Sequence, residues 1–259
     1  MDLGISGRKA LVCGSSQGLG FACAAALARE GVQVVINGRD PDKLRDSART
    51  IQEKTGAAVR CVAADQTTEA GRSALIAACP DADILVNNNA GPPPGDPKDW
   101  DRDAWIGAFD ANMIPAILLI RALLPGMRER KFGRIVNITS AMVKAPHPIM
   151  GLSSAARTAL TAVCKSISLT VAADNVTINN ILPQQMDTPR QEFMAQRRMK
   201  EQGITHDEAR RQMVAGVAAK RFGLPEEFAD ACAFLCSAQA GFISGQNLQL
   251  DGGSYAGLV

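Results

Sequence analysis

Tyrosine is almost absent from this chain: Tyr255 stands alone among 259 residues, beside two tryptophans and two histidines. With only His147 and His206 available, a histidine-rich metal centre is excluded, and no metal site is expected. An excess of either charge is missing as well, since 28 basic and 26 acidic side chains leave a net charge of +2. No segment interleaves basic with aromatic residues, so a small molecule fits better as partner than a nucleic acid or a membrane surface. Long apolar runs are lacking too. The longest, around Met113 to Ile120, is broken by Pro115 and stopped by Arg121, short of the roughly 20 residues a membrane span needs. The N-terminus lacks the basic-then-apolar order of a signal peptide, so a cytoplasmic location is expected. The seven cysteines show no disulfide spacing and read as reduced, buried thiols. Cys232 and Cys236, at i and i+4, share a helix face and read as packing.

What is present is alternation. Short β-branched runs at Lys9 to Cys13, Val32 to Asn37, Val59 to Ala64, Ile84 to Asn87, Arg134 to Thr139, Thr177 to Leu182 and Asn247 to Leu250 read as strands, with helical patterns between them. Asp40-Pro41 supplies a cap and a first-turn proline for a helix through Glu53, and Pro225-Glu226-Glu227 starts one through Cys236. Such order predicts one α/β domain over residues 1–259, a doubly wound, Rossmann-like parallel sheet of about seven strands with helices on both faces. The breaks in composition are the stiff loop Gly91-Pro92-Pro93-Pro94-Gly95 and a polar helical excursion near 184–220, read as a substrate lid.

Gly14-Ser15-Ser16-Gln17-Gly18-Leu19-Gly20 follows the first strand and opens into the helical run Phe21 to Glu30. Glycines there let the backbone approach a ligand, and the helix N-terminus offers N–H groups to a pyrophosphate. Gly14, Ser16, Gln17, Gly18, Leu19 and Gly20 are therefore candidate dinucleotide-binding residues. At the end of the second strand, where a carboxylate would select a free ribose 2′-hydroxyl, the chain reads Asn37-Gly38-Arg39. The missing acid and the forked donor of Arg39 favour NADP(H) over NAD(H), the other reading being that Arg39 only starts a surface loop. Asp65, at the third strand end, suits either an adenine contact or a turn before Thr67.

The glycine loop resembles that of the short-chain dehydrogenase/reductase family, and so do three further motifs. These are Asn87-Asn88-Asn89-Ala90-Gly91, Ser140 after Arg134 to Thr139, and the tail from Arg221-Phe222-Gly223 through Ile243-Ser244-Gly245-Gln246 to Asp251-Gly252-Gly253. Within that family the chain is similar to 3-oxoacyl-carrier-protein reductases. Against the family's Asn-Asn-Ala-Gly, either Asn89 is inserted or Asn89 and Ala90 stand in for Ala and Gly. The resemblance implies a tetrad of Asn, Ser, Tyr and Lys, in which Asn112 and Ser140 match and the Tyr and Lys positions hold Ser153 and Arg157. It also implies cofactor contacts at Asn87, Asn88, Arg157, Pro183 and Thr188, although Pro183-Gln184 replaces the family's Pro-Gly turn.

A serine hydroxyl cannot be tuned as an acid like a phenol of pKa about 10, and an arginine stays protonated. Inheritance of the family mechanism therefore fails, and loss of the positioned acid costs about 10²- to 10⁴-fold in rate. Arg157 can still stabilise an alkoxide and bind ribose hydroxyls, with Ser140 and Ser153 as donors. Lys144 and His147 are alternative proton donors, against the plainer reading of an exposed loop. Met142, Met150, Met186 and Met194 suggest an apolar pocket or ordinary packing, and the substrate is expected to have an apolar portion. Arg190, Arg197, Arg198 and Lys200 either steer an acidic substrate or, among interspersed acids, form a solvated lid. The apolar faces of Trp105 to Leu124 and Ala155 to Val171 resemble the family's subunit contacts, implying a homotetramer or homodimer. The leading functional expectation is an NADP(H)-dependent oxidoreductase with an atypical Asn-Ser-Ser-Arg tetrad. The alternatives are a silent NADP(H)-binding sensor or assembly protein, and a non-redox reaction that uses the bound cofactor.

Overall fold

The computed structural model describes residues 1–258. Within them lie β1 (Lys9–Val12), α1 (Gly18–Arg29), β2 (Gln33–Gly38), α2 (Pro41–Thr55), β3 (Arg60–Ala63), α3 (Glu69–Ala78), β4 (Ile84–Asn87), α4 (Arg102–Asn112) and α5 (Ile114–Glu129). The chain continues through β5 (Gly133–Ile138), α6 (Gly151–Val171), β6 (Val176–Pro183), α7 (Pro189–Gln202), α8 (His206–Val214), α9 (Pro225–Leu235) and β7 (Asn247–Leu250). The seven strands form one sheet in the order β3-β2-β1-β4-β5-β6-β7, with every pair parallel. The order reverses between β1 and β4, which opens a crevice at their carboxyl ends.

Alternation along the strands explains why both faces are covered. Ala10, Val12, Ile36 and Val86 point to a core shared with α1, α2 and α9, while Leu11, Cys13, Val35 and Leu85 point to one shared with α3, α5 and α6. Cys23 on α1 and Cys232 and Cys236 at the end of α9 are buried in the first of these cores. Local signals fix the helix ends: Asp40 caps α2 by accepting from Asp42 N and Lys43 N, and Gly56 closes it at φ +73°.

Two expectations are corrected. The helix read from Trp105 to Leu124 is two helices, because Met113 (φ −127°) breaks the turn before Pro115, whose ring leaves the preceding turn without its usual N–H donor. Taken together, Arg102–Glu129 is nevertheless long and apolar enough to cross a membrane by length and composition, contrary to the reading from the shorter run. Its apolar side packs on the sheet, with Leu119, Ile120, Leu123 and Met127 buried, as a core helix does. The polar excursion folds as α7 and α8 around a small core of their own, Ala195, Ala209 and Met213, against which Met194 also packs.

Candidate active site

The glycine loop is held from below. Gly14 (φ +54°) accepts at its carbonyl from Asn88 Nδ2 at 2.9 Å, and a Cβ at Gly20 would collide with that same carbonyl oxygen. The first turn of α1 therefore sits hard against the end of β1, and its N–H groups open to the crevice with Gln17 exposed at the cap. Gly18 (φ +61°) faces across it: a Cβ there would stand 3.9 Å from the Thr188 Cβ. Ser16 closes the side toward the second strand, where a Cβ at Gly38 would meet it, and Leu19 packs down on the core. This bare cradle between Gly14, Gly18 and Thr188 fits a dinucleotide pyrophosphate.

At the ribose end, Asn37 turns inward. Its Nδ2 donates to Val62 O and Ala64 O, at 3.1 and 2.9 Å, and its Oδ1 accepts from Gly14 N. The strand end thus carries an inward amide, and Arg39 is exposed beside it. The Asp65 carboxylate accepts from Thr67 N and Thr67 Oγ1, bonds that together with Arg39 hold its pKa below the usual value. Asp65 thus builds the turn before α3.

The end of α4 and the first turns of α6 bring Asn112 and Arg157 to one small chamber, with Ser153 bonded to Arg157 and Ser140 two residues beyond β5. Ser153 and Arg157 are 5% and 8% exposed. Arg157 directs Nε to Ser153 Oγ at 3.3 Å, Nη1 to Ile138 O at 2.7 Å and Nη2 to Asn89 O at 3.2 Å. Burial, reinforced by nearby Arg190, pulls its pKa down to about 10. Gly91 covers the pair, its Cβ position lying 3.5 Å from Arg157 Nη2 and 3.6 Å from Ser153 Oγ. Ser140 accepts from Met142 N at 3.2 Å, a cap that fixes its hydroxyl oxygen and leaves its hydrogen for another acceptor. Asn112 closes α4, donating weakly to Ala108 O, while its Oδ1 is buried without a partner.

Behind Arg157 runs a ladder of amides across four strands. Asn87 Nδ2 donates to Asn137 Oδ1, Asn137 Nδ2 to Asn180 Oδ1, and Asn180 Nδ2 to Asn247 Oδ1, at 2.9, 2.9 and 2.8 Å. The four side chains lie in one register row of the sheet. The free end, Asn87 Oδ1, lies buried without a partner. Asn87 shares a cavity of about 20 Å³ with Asn112 and Arg157, room for a single water.

Across the crevice, β6 ends at Pro183, paired with Leu250. The left-handed residue of the following turn is Gln185 (φ +52°), one place after the glutamine that replaces the family's glycine. Its carbonyl accepts from Gly223 N, its Nε2 donates to Met213 O, and Met186 packs against Gly223, so packing holds the strained backbone. A larger cavity of about 380 Å³ lies beside Ser153, lined by Gly91, Pro92, Pro93, Pro94, Trp100 and Leu152 among others. Met186 belongs to the sheet core and Met194 packs on the small core of α7 and α8, so neither methionine walls that cavity. His147 is exposed, and Lys144 lies 5.5 Å from the Tyr255 ring.

A family profile described as enoyl-(acyl carrier protein) reductase matches residues 14–255. The chain belongs to the short-chain dehydrogenase/reductase family. This family member is 34% identical over 255 residues to the NADPH-dependent reductase BacG of Bacillus subtilis, covering 96% of this chain and 98% of the relative. The solved L-sorbose reductase of Gluconobacter frateurii, complexed with NADPH and L-sorbose, is 32% identical with a TM-score of 0.95 over all of both chains. The structure of YwfH, an NADPH-dependent reductase involved in bacilysin biosynthesis, is 31% identical with a TM-score of 0.91, covering 98% of this chain and all of that one.

Three parts of this short-chain dehydrogenase/reductase site escaped the sequence reading. In the sequence Asn37 shows only as a missing acid, Asn89 only as a motif irregularity, and the Gly91 to Pro94 loop only as a stiff segment. The asparagine run was the available signal for Asn89, since its side chain donates to Ala111 O while its carbonyl meets Arg157. β4 ends at Asn87, so Asn88 and Asn89 are the first two residues of the loop that follows.

Proposed function

We propose that this chain is an NADP(H)-dependent reductase of a carbonyl compound with an apolar portion, working through Asn112, Ser140, Ser153 and Arg157. The pairing of Arg157 Nε with Ser153 Oγ carries the reading. The guanidinium occupies a lone pair of the serine, which leaves the serine hydrogen for a substrate carbonyl oxygen and strengthens it as a donor. NADP(H), when bound, supplies the hydride. Gly14 to Gly20 would hold its pyrophosphate, Arg39 its 2′-phosphate, and Thr188 and Pro183 would flank the nicotinamide. Ser140, its oxygen fixed by Met142 N, gives a second hydrogen bond to the same carbonyl oxygen, and the cationic Arg157 stabilises the charge that grows there. The NADPH dependence of BacG and YwfH supports the choice of cofactor. The same reading includes a homotetramer or homodimer formed through α5 and α6, where Ile114 and Leu169 are exposed.

Single-turnover transfer from deuterated NADPH to a panel of aldehydes, ketones and oxo acids tests the proposal. Deuterium in a product, lost in Arg157→Ala, is expected; NADPH binding without transfer to any member of the panel overturns it. A second reading, a silent NADP(H)-binding protein, draws on the ties of Arg157 to Ile138 O and Asn89 O, which are structural in form. That reading expects a Ser153→Tyr, Arg157→Lys double variant to gain activity from an inert parent.

A further inference from the structure

The cations of the lid divide into two sets. Arg197 pairs with Glu201, Arg210 with Asp187, and Arg211 with Glu208, while Arg198 donates to Gln212. Arg190 turns inward, giving Nη2 to Pro92 O at 3.1 Å, one residue beyond the loop glycine that overlies Arg157 and three beyond the Asn89 carbonyl that Arg157 binds. Arg157 and Arg190 enter no ion pair among the described residues. Both have their pKa values lowered, chiefly by burial, and each is lowered further by a neighbouring guanidinium. Two like charges gathered without a counter-ion are costly unless an anion arrives with the ligand. They also have donors to spare, because a guanidinium carries five N–H groups, of which Arg157 commits three within the protein and Arg190 one.

We infer that the substrate carries a carboxylate, held between Arg157 and Arg190, with its apolar body in the cavity lined by Pro92, Pro93, Trp100 and Leu152. The inference rests on the reductase reading above, and it names the substrate class as an oxo acid with an apolar or aromatic body. The overall change is oxo acid plus NADPH plus a proton, giving hydroxy acid plus NADP⁺. Carboxylate suits the pair, since its two oxygens can each accept from the uncommitted N–H groups of a different guanidinium. The apolar lining of a cavity of about 380 Å³ suits a compact hydrocarbon body.

Calorimetric titration of the NADP⁺-saturated protein with phenylacetate, phenylacetamide and phenyl phosphate tests this without any turnover. The acid is expected to bind about 10- to 100-fold more tightly than the amide. Arg190→Gln should abolish that preference, Arg190→Lys should keep part of it, and Arg198→Ala should leave it intact. Equal binding of acid and amide, a preference that survives Arg190→Gln in a protein that still binds NADP⁺, or tighter binding of phenyl phosphate would overturn the inference. If Arg190→Gln does not fold, the Arg190→Lys titration decides: an undiminished preference overturns the inference. A kinetic arm compares an oxo acid with its methyl ester. Acid preference in binding without turnover of either compound sinks the reductase reading and leaves the carboxylate site standing. Turnover of acid and ester alike does the reverse.

Discussion

Arg157 sets a pH limit on the site. A lysine in water titrates at about 10.4 and an arginine above about 12, yet burial and Arg190 bring this guanidinium down to about 10. In the proposed mechanism the working form is the cation, present below that value and lost as pH rises through it. The kcat/KM profile should therefore be flat through neutrality and fall as pH passes about 10. In Arg157→Lys the falling limb should move to lower pH, because the same burial acts on a group that starts lower. A limb that stays in place in that variant would assign it to another group. Ser153→Ala removes one oriented donor with no change in the cradle. It should slow hydride transfer about 10²- to 10³-fold in single-turnover measurement, while NADPH affinity stays within about twofold. These residues were legible because the helix after Ser140 keeps its register around Ser153 and Arg157. The partners of Arg157 were not legible, since the carbonyls of Ile138 and Asn89 lie 19 and 68 residues away and backbone acceptors leave no mark in a sequence.

At the level of the element, the asparagine row ties β4, β5, β6 and β7 through side chains as well as backbone. Asn137 is fully buried and bonded on both sides. Asn137→Leu would strand the Asn87 amide nitrogen and the Asn180 amide oxygen, at a cost of about 2–5 kcal/mol in urea unfolding. Asn247→Ala, at the half-buried end, should cost less. The start of α9 offers a test by pH. Glu227 accepts from Leu224 N and from both Arg221 nitrogens, and Arg221 chiefly holds its pKa down to about 2. A carboxyl depressed in the folded state stabilises above its ordinary value and loses that contribution as pH falls toward the folded one. The stability gap between the parent and Glu227→Gln should therefore be full above about pH 5 and shrink between about pH 4.5 and 2. Strands and most helices were legible from period and caps alone. The break at Met113 was not, because α4 and α5 share one continuous apolar stripe, and the asparagine row joins residues 43 to 67 positions apart.

Across the whole molecule, Arg134 fastens one end of the sheet. It is 1% exposed and donates to Ser237 O, Gly133 O, Asn175 O and Asn175 Oδ1, with its guanidinium 4.3 Å from the Phe132 ring centroid. It thereby ties β5 to the turn before β6 and to the chain leaving α9. Arg134→Met keeps the stem but empties those bonds, and should lower global stability by about 3–5 kcal/mol, read as a shifted urea midpoint with unchanged slope. The overall plan was legible because alternation of strands and helices dictates a covered parallel sheet. The lid's independent core was not, since Ala195, Ala209 and Met213 are too sparse to show a stripe. The amide row has one more consequence. Each amide hands its neighbour the same choice of end, so a flip at any position obliges the others to flip, and the row has only two settings. In the setting observed, the row ends on the unbonded oxygen of Asn87, one of the residues that line the small chamber; the other setting would end it on an N–H group. A change of end at Asn87 would therefore be passed across four strands to Asn247.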